Sequence, residues 1–347
     1  MNHTRVEPFH DPGEEAQRVV GAGHFARVLE PSAPAIVDGE WFADDPVRAE
    51  APPGTHLVSP VPGPEVATTW DEWLAQPAHA DHAGWAADRW LGAYRRLPGA
   101  PPNLVATRLA LHRLAVYVIS PARRQVNTKI ALRFTQGGFG TPFFRRTIPG
   151  PWTMDHQQVR VAGDLLVHQV GGSSSGSASA AAGRITTLTH AAAMILEGPP
   201  DVEWAKGFDV PPLGDPDEDL GVDPEAAAFL GDWYGFAWSV LEELRSDAAS
   251  TDAGRVQLWP EHFDAAFDCL PQDRRVTFGS SPGDATVPEP YLYVLPWHPD
   301  EGAGGDVWNA TSFRGAILPF SELVDAADQR QSALAFCRVR RELLLEQ

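Results

Sequence analysis

Residues 255–298 read RVQLWPEHFDAAFDCLPQDRRVTFGSSPGDATVPEPYLYVLPWH. Three apolar runs, Val256–Trp259, Val276–Gly279 and Tyr291–Leu295, alternate or cluster as strands do. Pro- and Gly-rich punctuation separates them, with a Ser-Pro-Gly-Asp turn at Ser281–Asp284 and Glu289 set between two prolines. Strand-like runs followed by helices favour antiparallel sheet with helices packed on it. A fourth run, Gly315–Leu318, closes this sheet.

Helices flank the meander on both sides in sequence. Pro211–Asp223 is an acidic, Pro-rich connector, and Pro224 opens a helix through Arg245 with Phe229, Trp233, Phe236, Val240 and Leu244 near one face. Phe320–Asp325 and a final helix over Ser332–Glu346 follow the last strand.

The first half carries the same order. Asn103 is suited to cap an apolar helix over Leu104–Ile119, which Ser120-Pro121 is expected to stop. Strands then follow at Lys129–Thr135 and Thr141–Arg145, and Gln157–Val170 makes a hairpin about Ala162-Gly163-Asp164. Gly171–Gly183, GGSSSGSASAAAG, has the composition of a flexible loop. Thr187–Glu197 is helical in pattern, and Gly198-Pro199-Pro200 ends it.

The expected class is therefore α+β, with antiparallel sheet and helices packed on it. Two pseudo-repeated units, about 104–198 and 224–347, are expected to share one core in a single domain over 69–347. Within it a helix is expected between Thr69 and Leu97, and residues 1–68 to wrap the body as irregular strands and loops.

Composition limits the function classes. The chain has 347 residues, 43% hydrophobic and 21% charged, which describes a folded protein rather than a disordered one. A formal net charge of −19 argues against nucleic acid or an anionic membrane as partner, since both reward clustered Lys and Arg. No run approaches the roughly 18 apolar residues that span a bilayer. The polar, acidic N-terminus lacks a signal-peptide core. Cys269 and Cys337, in no CxxC pair, read as core thiols in a reducing, cytoplasmic compartment.

The chemistry-bearing residues concentrate in 255–298. His262 and Asp264 would share a face if the segment were a strand. With His298 they would make a two-histidine, one-carboxylate set of the kind that binds a divalent metal such as Fe(II). Without metal, His262, Asp264 and Glu289 are candidate acid–base groups. His112, Arg133, Tyr291 and Tyr293 would line the pocket, with Trp297, Trp308 and Phe313 as further walls.

Each residue also has a purely structural reading. His262 could bond a carbonyl at a strand-ending corner, Asp264 could be a turn or cap residue, and Glu289 could pair with an arginine. The GSSPG letters at Gly279–Gly283 fit a nucleophile elbow, but no helix follows them. Gln136–Gly140 lacks the Lys and the helix of a phosphate loop. His79, Asp81 and His82 form a weaker metal candidate.

The His112 helix followed by KIAL, then LWPEHFDAAFD and PEPYLYV, resembles an uncharacterised bacterial family described only as a domain of unknown function. Over roughly 104–347, the shared points are Phe263-Asp264, Glu289-Pro290, Tyr291 or Tyr293, and Pro319-Phe320. The resemblance implies this order of elements and no reaction. Two function classes remain: a small-molecule enzyme with a polar site in an aromatic-lined cavity, or a non-catalytic protein that binds a small molecule or a protein.

Overall fold

A computed structural model describes residues 96–135, 137–142, 144–147, 154–172, 178–298 and 307–346. The N-terminal wrap, the His79–His82 cluster and all but Arg96 and Leu97 of the helix expected over Thr69–Leu97 lie outside the described residues, and Arg96 and Leu97 are not helical.

Among the described residues the elements run α1 (Leu104–Leu114), a π-helical turn (Ala115–Ile119), α2 (Ser120–Asn127), β1 (Arg133–Thr135), β2 (Gly138–Gly140), β3 (Phe144–Thr147), β4 (Met154–Ala162), β5 (Leu165–Gly172), β6 (Ala178–Arg184) and α3 (Leu188–Ile195). The second half supplies α4 (Pro224–Ser246), β7 (Gln257–Trp259), β8 (Asp264–Cys269), β9 (Val276–Ser281), β10 (Tyr291–Pro296), β11 (Ala316–Pro319), α5 (Phe320–Leu323) and α6 (Gln329–Leu345). The fold is α+β, with two antiparallel sheets.

The first sheet has six strands in the order β1-β2-β4-β5-β6, with β3 also on β4. The second has five, in the order β11-β10-β9-β8-β7. A single bridge joins their inner edges: the Leu132 N–H donates to the Leu258 carbonyl at 2.7 Å, and the Leu258 N–H to that of Leu132 at 2.9 Å. Each meander thus runs outward from this seam, and one hydrophobic cluster takes in buried residues from Leu97 to Leu344.

Helix α4 lies across the seam. Asp223 caps it, its carboxylate accepting the Ala226 N–H at 2.9 Å, and Pro224 sits where no N–H is needed. Phe229, Trp233, Phe236, Val240 and Leu244 are all buried. Gly231 lets the helix touch the β1–β2 turn, because a Cβ there would meet the Gly137 carbonyl oxygen at 2.5 Å. On the second sheet Ala265, Phe267, Phe278, Leu292, Val294 and Ala316 are buried, and α4 and α6 pack against their strands. Alternation sends Asp264, Ala266, Gly279, Tyr293 and Ile317 to the opposite face.

Two expectations fail for identifiable reasons. The helix from Leu104 does not stop at Ser120-Pro121 but continues to Asn127 through the π turn, in which the Ser120 N–H bonds the Ala115 carbonyl. Pro121 deprives the Tyr117 carbonyl of its helical donor. The Asp201 N–H replaces it at 3.0 Å, while the Trp204 indole takes the neighbouring Val116 carbonyl at 2.8 Å. The loop expected over Gly171–Gly183 is also wrong at both ends. Gly171 and Gly172 belong to β5, and Ala178–Arg184 is β6, paired with β5 from Gly171↔Ala178 to Leu165↔Arg184.

Candidate functional site

The site is organised by the turn from β7 to β8. Trp259 pairs with Asp264, leaving Pro260, Glu261, His262 and Phe263 as a four-residue connection. The Phe263 N–H closes it on the Trp259 carbonyl at 2.7 Å, which places Phe263 at φ 58°, a left-handed conformation unfavourable for a residue with a Cβ. Packing compensates. Phe263 is buried, His112 stacks on it at 4.9 Å with the rings 6° apart, and Phe139 and Tyr234 meet it edge-on at 4.9 and 5.6 Å. The Tyr234 hydroxyl donates to its carbonyl at 2.8 Å.

This geometry corrects the shared face expected for His262 and Asp264. His262 is exposed within the turn, whereas Asp264 opens β8 and is buried. They remain electrostatic neighbours, since a protonated His262 favours the Asp264 carboxylate.

Asp264 is the residue whose position asks for an explanation. One carboxylate oxygen accepts the Tyr293 hydroxyl; the other is shielded from solvent and has no hydrogen-bond partner. Burial raises its pKa from 3.8 to about 6, against the lowering effects of Tyr293, His262 and its own backbone N–H, and the Glu261 charge raises it further. Tyr293 reaches Asp264 over Gly279, its cross-strand partner on β9, where a Cβ would lie 2.1 Å from the ring.

A second tyrosine–aspartate pair lies beside the first. The Tyr291 hydroxyl donates to Asp284 at 2.5 Å, and the Tyr291 and Tyr293 ring centroids are 6.2 Å apart. Burial pushes the Asp284 pKa up, but hydrogen bonds from Tyr291 and from the N–H groups of Val287 and Thr286, with the Arg108 charge, outweigh it and hold the group below its ordinary value. The two carboxyl groups are thus driven in opposite directions. Arg108 donates to the Pro288 and Asp284 carbonyls at 2.9 and 3.3 Å, tying the Ser281–Asp284 turn to α1. Ser281 accepts the Gly283 N–H at 3.1 Å, as a turn residue does.

The remaining candidates are placed as follows. His112 bonds the Pro260 carbonyl at 2.8 Å and, largely through burial, has its pKa lowered to about 4, so it is neutral and supports the turn. Glu289 accepts the Ser321 N–H at 2.6 Å and the Ser321 hydroxyl at 2.9 Å, capping α5. Arg133 lies beside Trp238 and Glu242, one to two turns along α4 from Tyr234, with its pKa lowered to about 10 chiefly by burial. His298 bonds the Gln272 carbonyl at 3.1 Å.

The residues do not fit the iron site. Asp264 precedes the Ala265↔Ser280 pair, whereas His298 follows Pro296, which lies in the row of Val276 and Cys269. Ala265 and Cys269 mark opposite ends of β8, about 13 Å apart at ~3.3 Å per residue. Among the described residues no three His, Cys, Asp or Glu side chains gather closely enough to hold a metal.

Sequence reading missed Glu261, Asp284 and Tyr234. Glu261 carries a solvent-shielded oxygen with no hydrogen-bond partner, and its charge acts on Asp264. Adjacency to His262 was its one signal; Tyr234 reads as another aromatic of a buried helix. Comparison with family models, curated proteins and solved structures finds no match to this chain. Among the described residues no helix is long and apolar enough to cross a membrane.

Proposed function

We propose that the face of the second sheet around Asp264 is a small-molecule site, and that the protein is a small-molecule enzyme in which Asp264 transfers a proton. The observation that carries this reading is the buried Asp264 carboxyl, one oxygen held by Tyr293 and the other without a partner. A carboxyl with a pKa of about 6 exchanges its proton near neutral pH, and Asp284 beside it stays ionised. Of the points behind the family resemblance, Phe263-Asp264, Tyr291 and Tyr293 fall at this site. The chemistry needs no contribution from His298 or Glu289.

A specific observation favours the second reading, a non-catalytic small-molecule binder. His112, Glu289 and His298 are each engaged by backbone groups, which leaves Asp264 with few partners for a reaction. Both readings share the site. The test is a screen of small cationic, neutral and anionic compounds against the wild type and Asp264→Asn, scored by binding and then by turnover. Compounds that bind the wild type and not a folded Asp264→Asn support the site, and conversion of one of them supports the enzyme. Compounds that bind both proteins equally would remove Asp264 from the site.

A further inference from the structure

The Pro260–Phe263 turn ends on a carboxyl group that its surroundings do not stabilise as an anion. Asp264 is 8% exposed; Tyr293 bonds one of its oxygens, and the other is shielded from water with no hydrogen-bond partner. Such a group is tolerated as a neutral acid and costly as a carboxylate, and the Glu261 charge in the same turn adds to that cost. The turn is also strained where it closes. The bond from the Phe263 N–H to the Trp259 carbonyl holds Phe263 at φ 58°. Fixed and loose parts are distinct: the rings of His112, Phe139 and Tyr234 anchor the Phe263 side chain, whereas Glu261 is half-buried and His262 exposed.

We infer that this turn is a pH-sensitive latch, shut over Asp264 while its carboxyl is protonated and opened, by breaking the Phe263–Trp259 bond, when the carboxyl ionises. Opening lets the Phe263 backbone leave the left-handed region with its ring still packed, and gives the second Asp264 oxygen to water. The groups around Asp264 leave it as the trigger. Tyr293 and Tyr291 of β10 and Tyr234 of α4 are pushed above the ordinary tyrosine value, chiefly by burial, and so stay neutral. On α1, Arg108 keeps its charge, and burial lowers His112 to about 4. Asp264 itself, raised chiefly by burial to about 6, changes charge between pH 5 and pH 7.5; the imidazole of His262 is the rival of a type that also does so near neutrality. A proton held to about pH 6 in the shut turn and to 3.8 in the hydrated one favours opening about tenfold more at pH 7.5 than at pH 5. On the reading of this face as a small-molecule site, opening also admits a ligand to Asp264, but the latch itself involves none.

Hydrogen exchange of the full chain, followed by mass spectrometry of peptides spanning 259–264 and of β9 and β10, tests the latch without any ligand. After correction for the intrinsic pH dependence of exchange, protection of 259–264 should fall about tenfold from pH 5 to pH 7.5 in the wild type and in His262→Gln, and stay constant in Asp264→Asn. Protection of β9 and β10 should stay constant in all three proteins. Equal protection of 259–264 at both pH values in the wild type, a response lost in His262→Gln, or one retained in Asp264→Asn would overturn the latch. An equal fall in β9 and β10 would overturn it too, since the whole sheet would then be unfolding. If Asp264→Asn folds poorly, the wild type and His262→Gln decide the matter. A wild type without the response leaves the small-molecule reading standing, and a compound screen without binders leaves the latch standing.

Discussion

Tyr293 on β10 donates its hydroxyl to Asp264 on β8, passing over Gly279 of the intervening strand, while the second Asp264 oxygen has no hydrogen-bond partner. A carboxyl held in this way is stable when protonated and costly when charged. The groups facing it are Tyr293, His262 and Glu261, with Tyr234 and Tyr291 nearby, and burial outweighs them in setting the direction.

The first prediction concerns pH. The folded pKa of Asp264, about 6, exceeds its ordinary 3.8, so the folded state binds this proton more tightly than the unfolded chain. Its contribution to stability is full below about pH 4 and is lost as pH rises through 6. The difference is on the order of 3 kcal/mol. Asp264→Asn should therefore be more stable than the wild type at pH 7.5, with that advantage gone at pH 4. Urea unfolding at the two values measures it; equal differences at both would mean that the charge of Asp264 is not the cause.

Gly279→Ala should break the Tyr293–Asp264 contact while leaving both residues unsubstituted. Its Cβ would lie 2.1 Å from the Tyr293 ring, so the ring must move, at a cost of about 1–3 kcal/mol typical of overpacking. Loss of that hydroxyl should also raise the Asp264 pKa, because the bond favours the charged form. Carboxyl titration by NMR would reveal the rise, and an unchanged pKa would show that the bond does not matter to Asp264.

His112→Ala should act on the turn rather than on chemistry. It removes the bond to the Pro260 carbonyl and the stack on Phe263, whose left-handed backbone depends on packing. A loss of about 1–3 kcal/mol is expected. Because His112 is neutral above about pH 4, the loss should be the same at pH 6 and pH 8. A loss confined to pH 6 would show that a charged imidazole contributes.

Glu289→Ala should cost about 1 kcal/mol, the usual loss for a helix cap. Its carboxylate holds Ser321 at the start of α5. Binding of any compound that depends on Asp264 should be unchanged, and a tenfold weakening would return Glu289 to the site.

Local signals made much of this protein legible. Asp223-Pro224 marks the start of α4, Thr187 caps α3 by accepting the His190 N–H at 3.0 Å, and Gly163-Asp164 turns β4 into β5. Each depends on residues within a few positions of one another, so each is written in the sequence. The run of polar residues over 255–298, which includes the Pro260–Phe263 turn, is visible for the same reason. Tertiary structure decided what lies between distant residues. The helical run from Leu104 continues past Pro121 into α2 because Asp201 and Trp204, some eighty residues later, occupy the carbonyls that a proline would otherwise leave open. The small residues of β6 are a strand because β5 supplies the ladder, not because Ala, Ser and Gly prefer one. Asp264 came to Tyr293 rather than to His298 because strand register, which no local pattern fixes, puts the tyrosine at its end of the sheet and the histidine at the other.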